Sequence, residues 1–423
     1  MSGNYDVIII GGGPSGLMAS VAAAEHGASV LLVDKGSRLG RKLGISGGGR
    51  CNVTNAKETA ELISHIPGNG RFLYSAFDHF NNLDIIRFFE NLGIALKEED
   101  NGRMFPVSDK ASSVVSALIG KVRSLGVQMI TDSPVAEVLY GNGSVRGVRL
   151  TTGRTLSASA VVIATGGKSV PQTGSTGDGY PWAEAAGHTI TELFPTEVPI
   201  LSREGWIKSG ELQGLSLRDV TLTVWNPKGK RVIAHRGDMI FTHFGLSGPI
   251  ALRCSQFLRQ VQRKSGTDTV ELSIDLFPDL NPQEMEEQLQ NKLKLEPKKA
   301  LRNSLKGLLP ERMIPLLLAK AELDGDTTGH HLPKSGLQAL AALLKRMPVQ
   351  VHGTRSLEEA FVTGGGVNLK EINPRTMESK LMPGLFFCGE ILDIHGYTGG
   401  YNITAAFSTG YTAGKHAAEQ YRK

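Results

Sequence analysis

The first residues in this chain that could do chemistry are Gly11-Gly12-Gly13-Pro14-Ser15-Gly16. Their spacing suits a backbone that must reach a pyrophosphate. Gly11 allows a tight turn, Gly13 lets the chain approach the phosphates, and Gly16 lets the next helix pack close to the preceding strand. Pro14 and Ser15 open that helix, whose positive end then faces the anion. A carboxylate, Asp34, follows 18 residues after Gly16, where ribose hydroxyls would sit, with Lys35 beside it. The carboxylate favours an unphosphorylated ribose, hence FAD or NAD over NADP. A second set lies further on: Lys42, Arg50 and Cys51 around Gly47-Gly48-Gly49, then His243, and Glu390, Asp393 and His395 late in the chain. No Ser/His/Asp triad, P-loop or Cys/His metal spacing is visible, so no metal is expected.

These residues need elements to hold them. Residues 5–10 read as a buried parallel strand, apolar and β-branched on both faces. Residues 17–26 read as an Ala-rich helix stopped by Gly27, and 29–33 as a second strand. The glycine turn therefore sits inside a βαβ unit, where it means more than a glycine-rich turn alone. Later, Ala160-Val161-Val162-Ile163-Ala164-Thr165-Gly166-Gly167 resembles the strand that closes the FAD sheet of two-dinucleotide-type flavoproteins. Gly384-Leu385-Phe386-Phe387-Cys388-Gly389-Glu390 resembles their last strand. It runs through Asp393 and His395 to Gly400-Tyr401-Asn402-Ile403 and a small-residue helix reaching about residue 419. In such folds this helix covers the ribityl chain, and its N-terminus stabilises negative charge on the reduced ring. There is no second GxGxxG, so NAD(P)H, if it is the electron donor, would dock transiently rather than in its own domain.

Three segments are more specific than the nucleotide fingerprint. They are Lys42-Leu43-Gly44-Ile45-Ser46-Gly47-Gly48-Gly49-Arg50-Cys51-Asn52-Val53-Thr54-Asn55, Phe241-Thr242-His243-Phe244-Gly245-Leu246-Ser247-Gly248-Pro249, and the run from Gly389 to Asn402. Together they resemble the YhiN/BaiN-like bacterial flavoproteins, from about residue 6 to residue 417. The resemblance implies non-covalent FAD and an α/β fold: a doubly wound Rossmann-like FAD domain with an inserted β-rich domain and a small helical module. The FAD domain would comprise 1–192 and 351–423, the β-rich domain 193–280 and 323–350, and the helical module 281–322. Besides the glycine turn, Asp34 and Lys35, FAD contacts are implied for Lys42, Gly48, Arg50, Cys51, Val135, Ala164, Thr165, Gly166, Gly389, Glu390, Asp393, Gly400, Tyr401, Asn402 and Ile403.

Within the family the implied chemistry is reduction of an activated C=C bond, with hydride from flavin and a proton from the protein. One branch resembles reductases of unsaturated 3-oxo bile acids. Another resembles enzymes that reduce a uridine of large-subunit ribosomal RNA to dihydrouridine. Cys51, His243 and His395 are the candidate proton donors. Arg50 next to Cys51 would favour its thiolate, a better base than acid. Each of the three also reads as a structural residue. Lys42 and Arg50 would pair with flavin or substrate anions, or lie on the surface.

Composition bounds the remainder. The chain has 423 residues, 40% hydrophobic and 21% charged, which excludes a disordered or fibrous protein and suggests two or three folding units. A net charge of +5 permits an anionic partner without demanding one. Apolar runs fall short of the ~18 residues a membrane span needs, and the start lacks a signal peptide's basic region. Three scattered cysteines suit a reducing cytoplasm. From about 193 the pattern alternates: 220–225 and 231–234 form a hairpin, 238–242 and 269–276 are further strands, and 247–262 is a helix. Helical stretches follow at 283–295, 297–306, 310–322 and 335–345. Between 292 and 320, Lys292, Lys294, Lys298, Lys299, Arg302, Lys306, Arg312 and Lys320 face only Glu296 and Glu311, leaving +6. Such a module suits ribosomal RNA phosphates, and equally a solvated helix face. It holds no aromatic residue for base stacking. The chain is expected to rejoin the FAD sheet around 349–351. The first substrate expectation is a ribosomal RNA uridine and the second a small unsaturated ketone. A non-enzymatic flavin-containing RNA-binding or redox-sensing protein is the third reading.

Overall fold

A computed structural model describes residues 4–422. The chain forms two compact units, one running to Pro195 and resuming at Leu357, the other Thr196–Ser356.

The first unit is built on a seven-stranded sheet. Strand β1, Asn4–Ile10, is central, with Val7, Ile8 and Ile9 wholly buried. Helix α1, Pro14–Glu25, and strand β2, Val30–Val33, follow it. β1 pairs in parallel with β2 on one side and with the strand Thr155–Ile163 on the other. That long strand is a junction. Its first residues carry the antiparallel hairpin Val135–Gly141/Ser144–Leu150, while Val161–Ile163 pair in parallel with Leu385–Phe387. The chain's two ends therefore enter one sheet, because Leu385–Phe387 and β1 flank the same strand. The last helix, Tyr401–Tyr421, lies against α1. Their backbones meet closely: a Cβ at Gly410 would lie 2.3 Å from the Ser15 carbonyl oxygen, and one at Gly414 2.1 Å from that of Ala19. Small residues alone allow that approach.

The second unit carries another seven-stranded sheet in which every neighbouring pair of strands is antiparallel. Its order is Met347–Val351, Val270–Asp275, Ser216–Trp225, Arg231–Phe241, Gly245–Ser247, Ile200–Leu201 and Gly353–Thr354. The two strands expected at 231–234 and 238–242 are one continuous strand. The expected return to the first sheet at 349–351 does not occur: Met347–Val351 pairs with Val270–Asp275. Val349 and Val351 alternate with exposed Gln350, which suits a sheet covered on one face. The helices expected as a separate module share this sheet's core. Met285, Leu289 and Leu293 of Pro282–Leu295 form one buried stripe, as do Leu337, Leu340 and Leu344 of Lys334–Lys345, and both join Leu272 and Ile274. Asn281 and Glu284 start the first of these helices with a reciprocal capping box.

Candidate functional site

The turn between β1 and α1 divides its glycines by role. Gly11 sits at φ 105°, and a Cβ there would lie 2.5 Å from the Ala164 carbonyl oxygen. A Cβ on Gly16 would lie 1.8 Å from the Gly11 oxygen, so the helix start is pressed onto the turn. At Gly13 a Cβ would meet nothing within 4 Å. No side chain caps the N-terminus of α1, which leaves its first N–H groups and the positive end of its dipole for an anion. Gly389, at φ 78°, places its backbone beside the same helix start, since a Cβ there would touch the Ser15 hydroxyl at 2.5 Å.

Asp34 has a structural task in this turn. Its carboxylate accepts from the Gly12 N–H at 2.6 Å and the Gly36 N–H at 2.7 Å, and each oxygen retains acceptor capacity for a hydroxyl. The Lys35 ammonium, beside Asp34, pairs with Asp178 at 2.5 Å and bonds the Thr176 hydroxyl, tying two loops together. Val135 opens the hairpin two residues past Ser133, whose N–H donates to the Asp34 carbonyl. Gly166, at φ 75°, faces Ser175, next to Ala164 and Thr165 at the end of the long strand.

The Gly47–Gly49 loop is exposed, and all three residues are left-handed. A Cβ at Gly48 or Gly49 would meet nothing within 4 Å. Two charged residues of this segment are already engaged. Lys42 pairs with Glu390 at 2.5 Å and donates to the Ser169 hydroxyl at 2.9 Å. The Glu390 carboxylate also accepts from the Thr363 N–H at 2.8 Å and from Ser169. Burial alone would raise its pKa, but the Lys42 charge and these donors hold it below the usual carboxylate range. Arg50 forks onto Glu99 and Asp109 and lies 4.2 Å above the Phe105 ring. Its charge is thus met by two protein carboxylates.

Cys51 is wholly buried at φ 64°. Burial pushes its thiol up to about 12. The expected thiolate is therefore overturned: desolvation decides the protonation state, and the Arg50 charge is spent elsewhere.

The late motif closes on this loop from the other side. Gly400, at φ 98°, would bring a Cβ within 2.6 Å of the Thr54 carbonyl oxygen. The Thr54 and Thr404 hydroxyls lie 2.7 Å apart, and Asn55 donates to the Gly399 carbonyl at 2.9 Å. Asn402 folds its amide back onto the Gly396 backbone. It accepts from the Gly396 N–H and donates to the Gly396 carbonyl, both at 2.8 Å. Tyr401 is buried and stacks on His65 with centroids 4.7 Å apart, and Ile403 is half-buried beside it in the helix. Burial raises the Asp393 carboxyl.

His395 is buried edge-on to Phe194, and burial lowers it to about 4, so its imidazole is neutral near pH 7. An imidazolium acid at this position is disfavoured. His243 belongs to the second unit, exposed in the turn after Arg231–Phe241 and edge-on to Phe244 at 5.0 Å.

Sequence reasoning missed several participants. Glu99 and Asp109 hold Arg50 from 49 and 59 residues away, and Ser169 and Thr363 complete the Glu390 site. Asn52 Oδ1, Thr165 Oγ1 and the Tyr180 hydroxyl are buried polar atoms without a hydrogen-bond partner. Such groups are costly unless a ligand satisfies them. Tyr180 directly follows Gly177-Asp178-Gly179, a turn sequence whose glycines let backbone approach a ligand. Among the described residues no group of three or more His, Cys, Asp or Glu could hold a metal ion, and no helix is long and apolar enough to cross a membrane.

A parallel sheet, an uncapped helix start and backbone left open at Gly13 define a dinucleotide-binding protein of the Rossmann class. The family model described as HI0933-like protein Rossmann domain matches residues 5–416, and the chain belongs to that family. It is 33% identical over 408 residues to the ribosomal RNA dihydrouridine synthase of Escherichia coli (strain K12), covering 96% of each chain. It is 29% identical over 417 residues to the 3-dehydro-bile acid delta(4,6)-reductase of Clostridium scindens, covering 97% of this chain and 98% of the relative. Its fold is shared with 3-ketosteroid-delta4-(5alpha)-dehydrogenase from Rhodococcus jostii RHA1, with a TM-score of 0.52, 16% identity and coverage of 99% of this chain and 97% of that one.

Proposed function

We propose that this protein is an FAD-dependent oxidoreductase that reduces a polarised C=C bond, with a uridine of large-subunit ribosomal RNA as substrate and dihydrouridine as product. The end-to-end match to the Escherichia coli ribosomal RNA dihydrouridine synthase carries the reading. The open backbone at Gly13, Gly48 and Gly49 and the unsatisfied atoms of Asn52, Thr165 and Tyr180 fit a long cofactor with a polar spine. When bound, FAD supplies the hydride, taken up in turn from a donor such as NAD(P)H that docks transiently.

The chain's own residues do the rest. The first turn of α1 and Gly13 hold the pyrophosphate, and Asp34 accepts from ribose hydroxyls while bracing Gly12 and Gly36. Gly389, Glu390 and the start of Tyr401–Tyr421 offer backbone where negative charge collects. Cys51 keeps its proton at Sγ at neutral pH and is the proposed donor to the substrate carbon next to the one that takes hydride. The 29% match to the Clostridium scindens enzyme supports a second reading, a small unsaturated ketone as substrate. A cytoplasmic location is proposed on three free, buried cysteines.

Of the eight cations between 292 and 320, Lys299, Arg302, Lys306 and Lys320 pair with carboxylates, and Arg312 donates to the Glu211 and Gln213 carbonyls. The module thus brings Lys292, Lys294 and Lys298 to an RNA contact, far less than its sequence charge promises. Mass spectrometry of ribosomal RNA from wild-type and deletion cells tests the substrate. Loss of a two-hydrogen mass increment at one uridine is the expected result. An unchanged RNA profile refutes the RNA substrate and leaves the small ketone.

A further inference from the structure

We propose that an open cleft in the first unit, between residues 60–74 and 369–370, docks a single-stranded part of the RNA substrate. Arg71 and Lys370 hold its phosphates, and Tyr74 stacks one of its bases. This rests on the RNA reading above.

The cleft measures about 710 Å³. That volume falls inside the range of roughly 300–1,000 Å³ common to ligand sites. Arg71 and Lys370 are the charged residues in its lining, and no Asp or Glu is among them. Both are exposed, and neither forms an ion pair among the described residues. The contrast with the basic helices of the second unit is sharp, because most cations there are already partnered. Uncompensated cations are what phosphate binding requires, since affinity comes from releasing counterions rather than from breaking protein ion pairs. Tyr74 is 49% exposed on the same wall, next to partly buried Phe72. An exposed ring beside two free cations is the combination that holds single strands with little regard to sequence.

The cleft is also tied to the late motif. Gly68 donates to the His395 carbonyl at 2.9 Å and accepts from the His395 N–H at 3.2 Å. Asn69 donates from its side chain to the Asp393 carbonyl at 2.8 Å. The 63–70 wall is therefore fixed to the segment that runs from Glu390 to the last helix. A strand anchored by Arg71 and Lys370 lies beside that segment.

The test is fluorescence anisotropy of a short, uridine-rich single-stranded RNA on the FAD-loaded full chain, between about 50 and 200 mM salt. Arg71→Ala/Lys370→Ala should weaken binding at least ~10-fold and flatten the salt dependence by about 1.4 in log–log slope, from ~0.7 per lost phosphate contact. Tyr74→Ala should weaken it ~10-fold and Tyr74→Phe should restore it, since the ring is what stacks. Equal flavin content and melting temperature in all variants would show that binding, not folding, changed.

Unchanged affinity and slope in the double variant overturn the cleft. Complementation separates this from the substrate reading. If deletion cells lack the RNA mass increment and the Arg71→Ala/Lys370→Ala gene restores it fully, the cleft fails while the substrate stands. If wild-type protein binds no RNA and deletion leaves the RNA unchanged, both fail.

Discussion

At Cys51 the backbone turns left-handed, and the thiol is shut away from water. A sequence shows Arg50 next to it and suggests a thiolate. The fold instead sends the guanidinium to Glu99 and Asp109 and lets burial set the proton. Below about 12 the Sγ proton stays in place, so a rate dependent on it should show no limb near the ordinary thiol pKa of ~8.5. Cys51→Ala should lower turnover on the order of 100-fold while flavin reduction by its donor keeps its rate. Stopped-flow absorbance of both half-reactions measures this, and equal turnover in the variant returns Cys51 to a packing role. Lys42 shows the same limit of local reading. Its partner Glu390 lies 348 residues away, and only the folded chain reveals that their charges cancel.

Elements whose signals are local were legible. The strand–glycine–helix unit at the N-terminus follows from local spacing and the short-range contact of Gly16 with the Gly11 carbonyl, although the crowding at Gly11 itself comes from Ala164 in the neighbouring strand. The capping box at Asn281 and the buried stripe of Pro282–Leu295 are likewise local. Met347–Val351 was not legible, since a short apolar strand carries no mark of which sheet it will join. The contact between α1 and Tyr401–Tyr421 needed both chain ends. Gly414→Ala would place a methyl 2.1 Å from the Ala19 carbonyl oxygen. It should cost about 1–3 kcal/mol, read as a lower urea midpoint with unchanged m-value. An unchanged midpoint would mean that the helices separate freely to admit it.

For the whole molecule, the proposed cofactor grip draws on segments at the two ends of the chain, while residues 196–356 fold as a unit with their own sheet and core. On that proposal FAD is a ligand of the first unit's native state. At a hundredfold excess over Kd it should add ~2.7 kcal/mol to that unit's stability. Stripping FAD should lower its melting temperature by roughly 5–10 °C, at a few degrees per kcal/mol for a unit of this size. Calorimetry of stripped and reloaded protein checks this, and identical transitions would deny that the two ends share the cofactor. By itself the sequence determined the nucleotide fingerprint, the family, the inserted sheet and the absence of a second dinucleotide motif, because these rest on spacing, periodicity and residue type. Only the tertiary structure decided which charges remain free to meet a ligand. Lys35, Lys42, Arg50, Arg302 and Lys320 are neutralised by partners distant in sequence, whereas Arg71 and Lys370 form no ion pair among the described residues. The physical reason is that a side chain's charge is fixed by its type, but its compensation depends on what the fold brings within a few ångströms.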